Sequence, residues 1–387
     1  MENFQFLSST RIIFGKGAEE KAGPEVKKYG RKVLLHYGGG SIKRSGLYDR
    51  VVRSLQAAGL EVMELSGVKP NPRLSLVREG IKLCRENKID CLLAVGGGSV
   101  IDSAKAIAVG VPYQGDVWDF FTKAAEPKEK LPLGVVLTIP ASGSEASNSC
   151  VITNEEGPLK WGMNYQANRP TFAILNPELC YTLPPYQRAA GAVDIMAHMM
   201  ERYFTETPHV ELTDRLCEAG LKTVINNIPL VLEDAQNYHA WAELMLTGSL
   251  AHNGQFGVGR LEDWACHKID HELSALYDVT HGAGLAVLFP AWAEYVYKKH
   301  LTPFLKFAVR VWNVDQDFSS PERTALEGIK RMKDFFRSIG MPVSLQELQV
   351  PADRLEEMAE RATSRGPLGN LEKLYKEDVF NILKSAL

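Results

Sequence analysis

No two of the six cysteines in this 387-residue chain form a CxxC pair. Six in so long a chain do not make a disulfide framework, so they read as buried free thiols in a reducing compartment. Long apolar runs are missing too: none reaches the roughly 18 residues that a membrane-spanning helix needs. The opening segment, MENFQFLSSTRIIFGKG, lacks the charged-then-apolar order of a secretory signal. A cytoplasmic protein with no membrane partner is expected. Excess charge of one sign is also absent. The net charge is −3, which leaves no basic field for nucleic acid or an anionic lipid surface. Repeats and low-complexity tracts are not found. With 45% apolar and 24% charged residues, the composition is that of a globular protein rather than a disordered one.

What is present falls into two textures. The first half alternates short β-rich apolar runs with helical patterns. Strands are expected at Lys32–His36, Glu61–Leu65, Cys91–Val95, Val135–Ile139 and Thr171–Leu175, with helices such as Tyr48–Ala58 and Leu74–Asn87 between them. This rhythm predicts a parallel sheet with helices on both faces. After "TLPP" at Thr182–Pro185 the pattern turns to long helices, at roughly 186–204, 208–227, 235–253 and 257–274, with more to follow. The Pro pair marks a boundary. The expected organisation is a Rossmann-like α/β dinucleotide-binding domain over residues 1–184 and an all-α domain over 185–387. A ligand between two such domains is a common arrangement.

Two glycine turns follow strands. In "CLLAVGGGSVIDSAKAIAV", Gly96, Gly97 and Gly98 permit a sharp turn and close ligand approach, and Ser99 opens a helix. The free N–H groups and positive dipole end of that helix attract anions, so a pyrophosphate fits; a plain tight turn fits as well. Asp102, in the first turn, reads either as a cofactor contact or as an acid complementing the dipole. The second turn, "VLLHYGGGSIKRSG", presents Gly38, Gly39, Gly40 and Ser41. In dinucleotide folds an acid after an early strand often holds the adenosine ribose 2′-OH. Here Lys43 and Arg44 follow instead. The pattern accepts a 2′-phosphate, or is a solvent-exposed hairpin of charges.

The segment "GAVDIMAHMMERYF" buries a charge. Asp194 and His198 stand four residues apart on one face of an otherwise apolar helix. A core Asp–His pair would account for this alone. But "HKIDHELSALYDVTHGAG" adds His267, His271 and His281, three of the nine histidines within fifteen residues. One carboxylate and several imidazoles suit a divalent cation such as Fe²⁺ or Zn²⁺.

Taken together, these motifs resemble the iron-containing (group III) alcohol dehydrogenase family, in its butanol dehydrogenase and aldehyde reductase branch. The resemblance spans essentially the whole chain. It rests on GGGSVIDSAK at Gly96–Lys105, PASGSEAS at Pro140–Ser147, NPELCYTLPP at Asn176–Pro185, GAVDIMAH ending at His198, and His267-x3-His271-x9-His281. It implies a dehydroquinate synthase-like fold, with Asp194, His198, His267 and His281 as metal ligands. It implies that His271 lies beside the nicotinamide without binding metal. Cofactor contacts carry over to Gly97, Gly98, Ser99, Thr138, Ser142 and Lys160, and Asn71 of "KPNPRL" matches the adenosine side. Many relatives read TTAGTGSE where this chain reads TIPASGSE; Ser142 keeps a hydroxyl in place of a threonine, and Pro140 replaces an alanine.

The chemistry implied is hydride transfer between NADP(H), ahead of NAD(H), and short-chain alcohols or aldehydes such as butanol and butanal. The metal acts as a Lewis acid and His271 as a proton relay. Two other readings compete. A lyase of the dehydroquinate synthase type needs a basic phosphate pocket near the metal, and Arg202, Arg215, Lys222, Arg260 and Lys268 sit in no obvious anion loop. A non-catalytic nucleotide sensor needs a closed metal shell. Trp161, Tyr165, Phe256 and Trp264 are candidates for an apolar pocket. The segment FQFLSSTRIIFG suits edge-to-edge pairing in a homodimer.

Overall fold

The computed structural model describes residues 1–157 and 159–387. The chain divides into two compact units. One comprises Leu7–Leu183 with Ala235–Ser249; the other comprises Met1–Phe6, Pro184–Asp234 and Leu250–Leu387. The main break thus falls at the Pro pair, while residues 1–6 and 235–249 each group with the unit on the far side of it.

The first unit is built on strands β1 (Arg11–Phe14), β2 (Lys32–Tyr37), β3 (Glu61–Leu65), β4 (Cys91–Gly96), β5 (Leu133–Leu137), β6 (Ser149–Asn154), β7 (Leu159–Asn164) and β8 (Phe172–Leu175). Six of them form one sheet in the order β1-β8-β5-β4-β2-β3, parallel throughout. Every residue of CLLAVG in β4 and LGVVL in β5 is buried. Such unbroken apolar strands belong in a sheet covered on both faces. Val33, Leu35, Leu93 and Val95 pack there with Val51 and Leu55 of the Leu47–Ala57 helix.

The structure departs from the sequence expectation in several details; β1 is not among the expected strands, and the helix expected at 257–274 spans Ala265–Tyr277. The strand expected at Val135–Ile139 begins two residues earlier, at Leu133, and ends at Leu137. β5 ends where its partner does: the Thr138 N–H makes the last ladder bond, to the carbonyl of Gly96, the final residue of β4 before the glycine turn. The antiparallel β6–β7 hairpin was not expected. It carries few β-branched residues in "LKWGMN", so the local pattern is weak.

The direction of winding reverses inside the sheet. From β2 the chain moves outward to β3, then returns past β2 to β4. The glycine turns after β2 and β4 therefore leave neighbouring strands, which pair as Tyr37↔Val95. In open α/β sheets such a switch point is where ligands bind.

The second unit is helical. Its longest buried element is the Pro185–Tyr203 helix, with Pro at its first turn, where the missing N–H is harmless. From Ala189 to Tyr203 every residue is buried, as expected of a helix without a polar face. Phe204, Trp292, Phe304 and Phe307 interlock beside it, with ring centroids 4.6 to 5.8 Å apart where they touch. Among the described residues no helix is long and apolar enough to cross a membrane.

Candidate functional site

The Pro185–Tyr203 helix carries Asp194 and His198 into the interior of the helical unit, where they are 4% and 3% exposed. His198 Nδ1 lies 2.8 Å from the Asp194 carbonyl oxygen and 3.1 Å from its Oδ1. His267 comes from the Ala265–Tyr277 helix, and His281 opens the His281–Val296 helix. One side-chain donor atom each from Asp194, His267 and His281 lies within 4.8 Å of the other two; among the described residues no other such group occurs. His198 stands next to this trio, its ring centroid 4.6 Å from that of His267. His271 is farther out, partly exposed, with its ring 6.2 Å from that of His281.

The trio fits a cation. His267 Nε2 is buried and meets no hydrogen-bond partner among the described residues. An orphaned buried polar atom costs roughly 1–3 kcal/mol, a cost that a bound metal removes. Burial, and after it the rings of His198, His281, His271 and His252, hold the His267 imidazole well below its ordinary pKa. The ring is thus neutral, the form that ligates metal. A carboxylate with imidazoles matches the donor preference of Fe²⁺ or Zn²⁺.

Two further carboxylates surround the trio. Glu201, 1% exposed, accepts from His267 Nδ1 at 2.8 Å, from the His267 N–H at 3.0 Å and from the Trp264 N–H at 2.6 Å. Burial and the neighbouring Asp263 push its carboxyl well above the ordinary value, against the pull of the two amides. Asp270, wholly buried, accepts from His281 Nδ1 and, at 3.1 Å, from the Ser274 hydroxyl. Gly284 makes room for it, since a Cβ there would overlap Asp270 Oδ1.

Trp264 forms an aromatic wall. Its φ of 68° puts a bulky residue in the left-handed region, a strained conformation that clusters at functional sites. The indole N–H donates to Glu262 Oε2 at 2.6 Å, and the Arg202 guanidinium lies 4.7 Å over the ring. The ring centroid is 5.0 Å from that of His267 and 5.6 Å from that of His252. The other apolar-pocket candidates lie elsewhere. Phe256 is core, packed near Gly220; Trp161 stacks on Trp118; and Tyr165 directs its hydroxyl at the Phe120 and Ala125 carbonyls.

In the sheet unit, the Gly98–Gly110 helix has Gly97 as N-cap and no side-chain cap, which leaves its first amides to an anion. Ser99 is in that first turn. Gly97 and Gly98 also serve packing: a Cβ on the first would overlap Ile139, and on the second Ser142 Oγ. Ser142 is thus brought against the turn, and the Thr138 N–H bonds Gly96. Asn71 is buried with φ of 54°, a conformation asparagine tolerates. Lys160 is buried on β7.

Asp102 is tied to the protein. It accepts from the Ser144 hydroxyl and from the Val151 N–H at 2.8 Å, and Lys105 Nζ lies 3.9 Å away. Burial raises its pKa, against the pull of Lys105. At the other turn, Gly39 has open space where a Cβ would point, and Arg44 Nη1 lies 2.8 Å from the Cβ position of Gly40. Lys43 Nζ sits 4.8 Å from the Tyr48 ring centroid. The nearby Glu64 carboxylate accepts from both the Tyr37 and Tyr48 hydroxyls.

Sequence reasoning missed Glu201, Asp270 and His252. A signal existed for the first two. Glu201 follows Asp194 and His198 at helical spacing, and Asp270 stands three residues after His267. His252 carried no such signal; its ring is 4.2 Å from that of His198.

Comparison with known proteins agrees over the whole length. Residues 9–177 match the iron-containing alcohol dehydrogenase family model. Residues 188–387 match that of the Fe-containing alcohol dehydrogenase family, C-terminal. NADH-dependent butanol dehydrogenase A of Clostridium acetobutylicum is 42% identical over 100% of both chains. NADPH-dependent aldehyde reductase YqhD of Escherichia coli is 36% identical over 95% of this chain and 94% of its own. The crystal structure of NADH-dependent butanol dehydrogenase A from Thermotoga maritima superposes with a TM-score of 0.96 at 41% identity, covering 100% of this chain and 99% of that one.

Proposed function

The chain belongs to the iron-containing alcohol dehydrogenase family, and from that premise we propose a metal-dependent, NADP(H)-preferring reductase of short aldehydes such as butanal, also working in reverse on the alcohols. The observation that carries the reading is the convergence of Asp194, His267 and His281, with the buried His267 Nε2 unpartnered among the described residues. Asp194, His198, His267 and His281 are the proposed metal ligands. Relatives of both cofactor preferences exist; the absence of a carboxylate in the Gly38–Ser41 turn and the nearness of Arg44 favour the 2′-phosphate. β1 lies at the edge of the sheet with Ile12 and Phe14 exposed, which supports a homodimer through that edge.

When bound, a divalent cation supplies Lewis acidity toward a carbonyl oxygen and the nicotinamide supplies the hydride. The residues do the rest. The amides of Gly98 and Ser99 would hold the pyrophosphate at a helix N-terminus, while Gly97, Asn71, Thr138, Ser142 and Lys160 would line the remainder of the cofactor. Asp102 secures the Ser144 loop to that helix. The indole of Trp264 excludes water from the apolar end of the substrate. His271 carries the proton between the alcohol oxygen and solvent, a task suited to an imidazole near neutral pH.

Steady-state reduction of butanal with NADPH and NADH, by metal-free protein reloaded with Fe²⁺ or Zn²⁺, tests the reading. Metal-dependent turnover, higher with NADPH, is expected. Equal rates without metal would refute it.

A further inference from the structure

All three imidazoles of the proposed metal centre have Nδ1 engaged by an oxygen. For His198 it is the Asp194 carbonyl, at 2.8 Å. For His267 it is Glu201 Oε1, at 2.8 Å. For His281 it is Asp270 Oδ2. A neutral imidazole has one N–H and one lone pair. An oxygen that accepts at Nδ1 fixes the proton there and leaves the lone pair at Nε2. Two of the Nε2 atoms have a defined setting: that of His267 is buried without a hydrogen-bond partner among the described residues, and that of His281 lies 3.8 Å from Asp194 Oδ1.

We propose that Glu201 and Asp270 are positioning residues, which hold His267 and His281 in the Nδ1–H tautomer and aim their Nε2 atoms at the metal. The proposal rests on the metal reading above. Both carboxylates are positioned to accept. Each Glu201 oxygen already receives a backbone N–H, from His267 and from Trp264, and such groups only donate. Asp270 is wholly buried, in a space that only a glycine at 284 leaves open. The two acids are not equivalent in their other duties. Glu201 also ties down the start of the Ala265–Tyr277 helix through those amides, whereas Asp270 lies inside that helix and caps nothing.

The experiment uses Glu201→Gln, Asp270→Asn, His267→Ala and wild-type protein, stripped of metal and titrated with Co²⁺ against a competing chelator. The imidazole ¹⁵N shifts are read in the metal-free state. A neutral amide is a weaker acceptor, and removal of such oriented partners typically lowers metal affinity about 10–100-fold. Glu201→Gln and Asp270→Asn should each show a loss of that size at unchanged one-to-one stoichiometry. The ¹⁵N shifts of His267 and His281, respectively, should move toward the Nε2–H pattern. Loss of helix capping alone would not move that tautomer, and Asp270→Asn carries the test if Glu201→Gln is unstable. Affinities within twofold of wild type with unshifted tautomers would overturn the proposal and leave the metal site standing. Failure of wild-type protein to bind Co²⁺, or full binding by His267→Ala, would bring down the metal reading and this proposal with it.

Discussion

His198 turns its Nδ1 back onto the carbonyl oxygen of Asp194, 2.8 Å away and one helical turn earlier. The i, i+4 spacing therefore does more than place two donors on one face. It uses the backbone of the first residue to orient the ring of the second, with the Asp194 Oδ1 also 3.1 Å from the same nitrogen. The same helix brings Glu201 to His267, so one element arranges most of the centre.

The first prediction follows from that division of labour. His267→Ala and His281→Ala each remove a member of the converging trio and should abolish tight metal binding while the fold survives. His271 stands outside the trio, so His271→Ala should retain metal and lose turnover. Elemental analysis of the three purified variants decides it. A full equivalent of metal in His267→Ala or His281→Ala would remove that residue from the ligand set.

Trp264 should set the response to substrate length. With an indole wall beside the histidines, kcat/KM for unbranched aldehydes should rise from two carbons to four. Each buried methylene contributes about 0.8 kcal/mol, roughly fourfold. In Trp264→Ala the series should flatten. A steep series that survives the substitution would place the apolar wall elsewhere.

A third prediction concerns acid stability. His36 is fully buried on β2, with Nδ1 against the Leu65 carbonyl at 2.8 Å and Nε2 against the Ser103 hydroxyl at 2.9 Å. Burial lowers its pKa from 6.5 to about 4. The unfolded chain thus takes up a proton at a pH where the folded one does not. Stability from this residue is complete above pH 6.5, falls as the pH drops toward 4, and changes no further below that. The full loss is about 3 kcal/mol. Urea unfolding of wild type and His36→Gln at several pH values measures it. The variant should be weaker at neutral pH and less sensitive to acid across this window; an identical pH slope would refute the assignment.

The parts legible in the sequence were those with local grammar. β4 and its glycine turn were read from CLLAVGGGS because an apolar run, three glycines and a helix start are all local signals. The Pro185–Tyr203 helix was read from its pattern to within a residue at each end. Other features depend on partners distant in the chain. The end of β5 is set by Gly96, and the Asp102 carboxylate is claimed by Ser144 and Val151. The Glu64 carboxylate beside the second glycine turn comes from a different strand and meets Tyr37 and Tyr48 only after folding. No reading of the turn itself would find it.

Glycines in the two motifs should separate by environment. A Cβ on Gly282 would overlap the Ala190 backbone carbonyl, whereas one on Gly39 meets nothing within 4 Å. Gly282→Ala should destabilise by about 1–3 kcal/mol, the usual range for overpacking. Gly39→Ala should unfold at nearly the wild-type urea concentration. Equal midpoints for Gly282→Ala and wild type would contradict the packing described here.

That tolerance makes Gly39 the right place to test cofactor choice. We expect NADPH to bind more tightly than NADH. The turn after β2 holds no carboxylate of its own, and the nearby Glu64 carboxylate is turned to the Tyr37 and Tyr48 hydroxyls, so the turn itself offers a ribose 2′-OH no acidic partner. A 2′-phosphate bound at this turn would meet the Ser41 hydroxyl, the turn amides and the Arg44 guanidinium, whose Nη1 lies against Gly40. Charge-assisted hydrogen bonds of this kind contribute about 1.5–3 kcal/mol, or roughly ten- to hundredfold in affinity. Gly39→Asp places a negative charge in the open space at that position and should reverse the preference by repelling the phosphate. Fluorescence titration of both cofactors against both proteins gives the four dissociation constants. Equal constants in the wild type, or a ratio that Gly39→Asp leaves unchanged, would mean that this turn does not read the 2′ position.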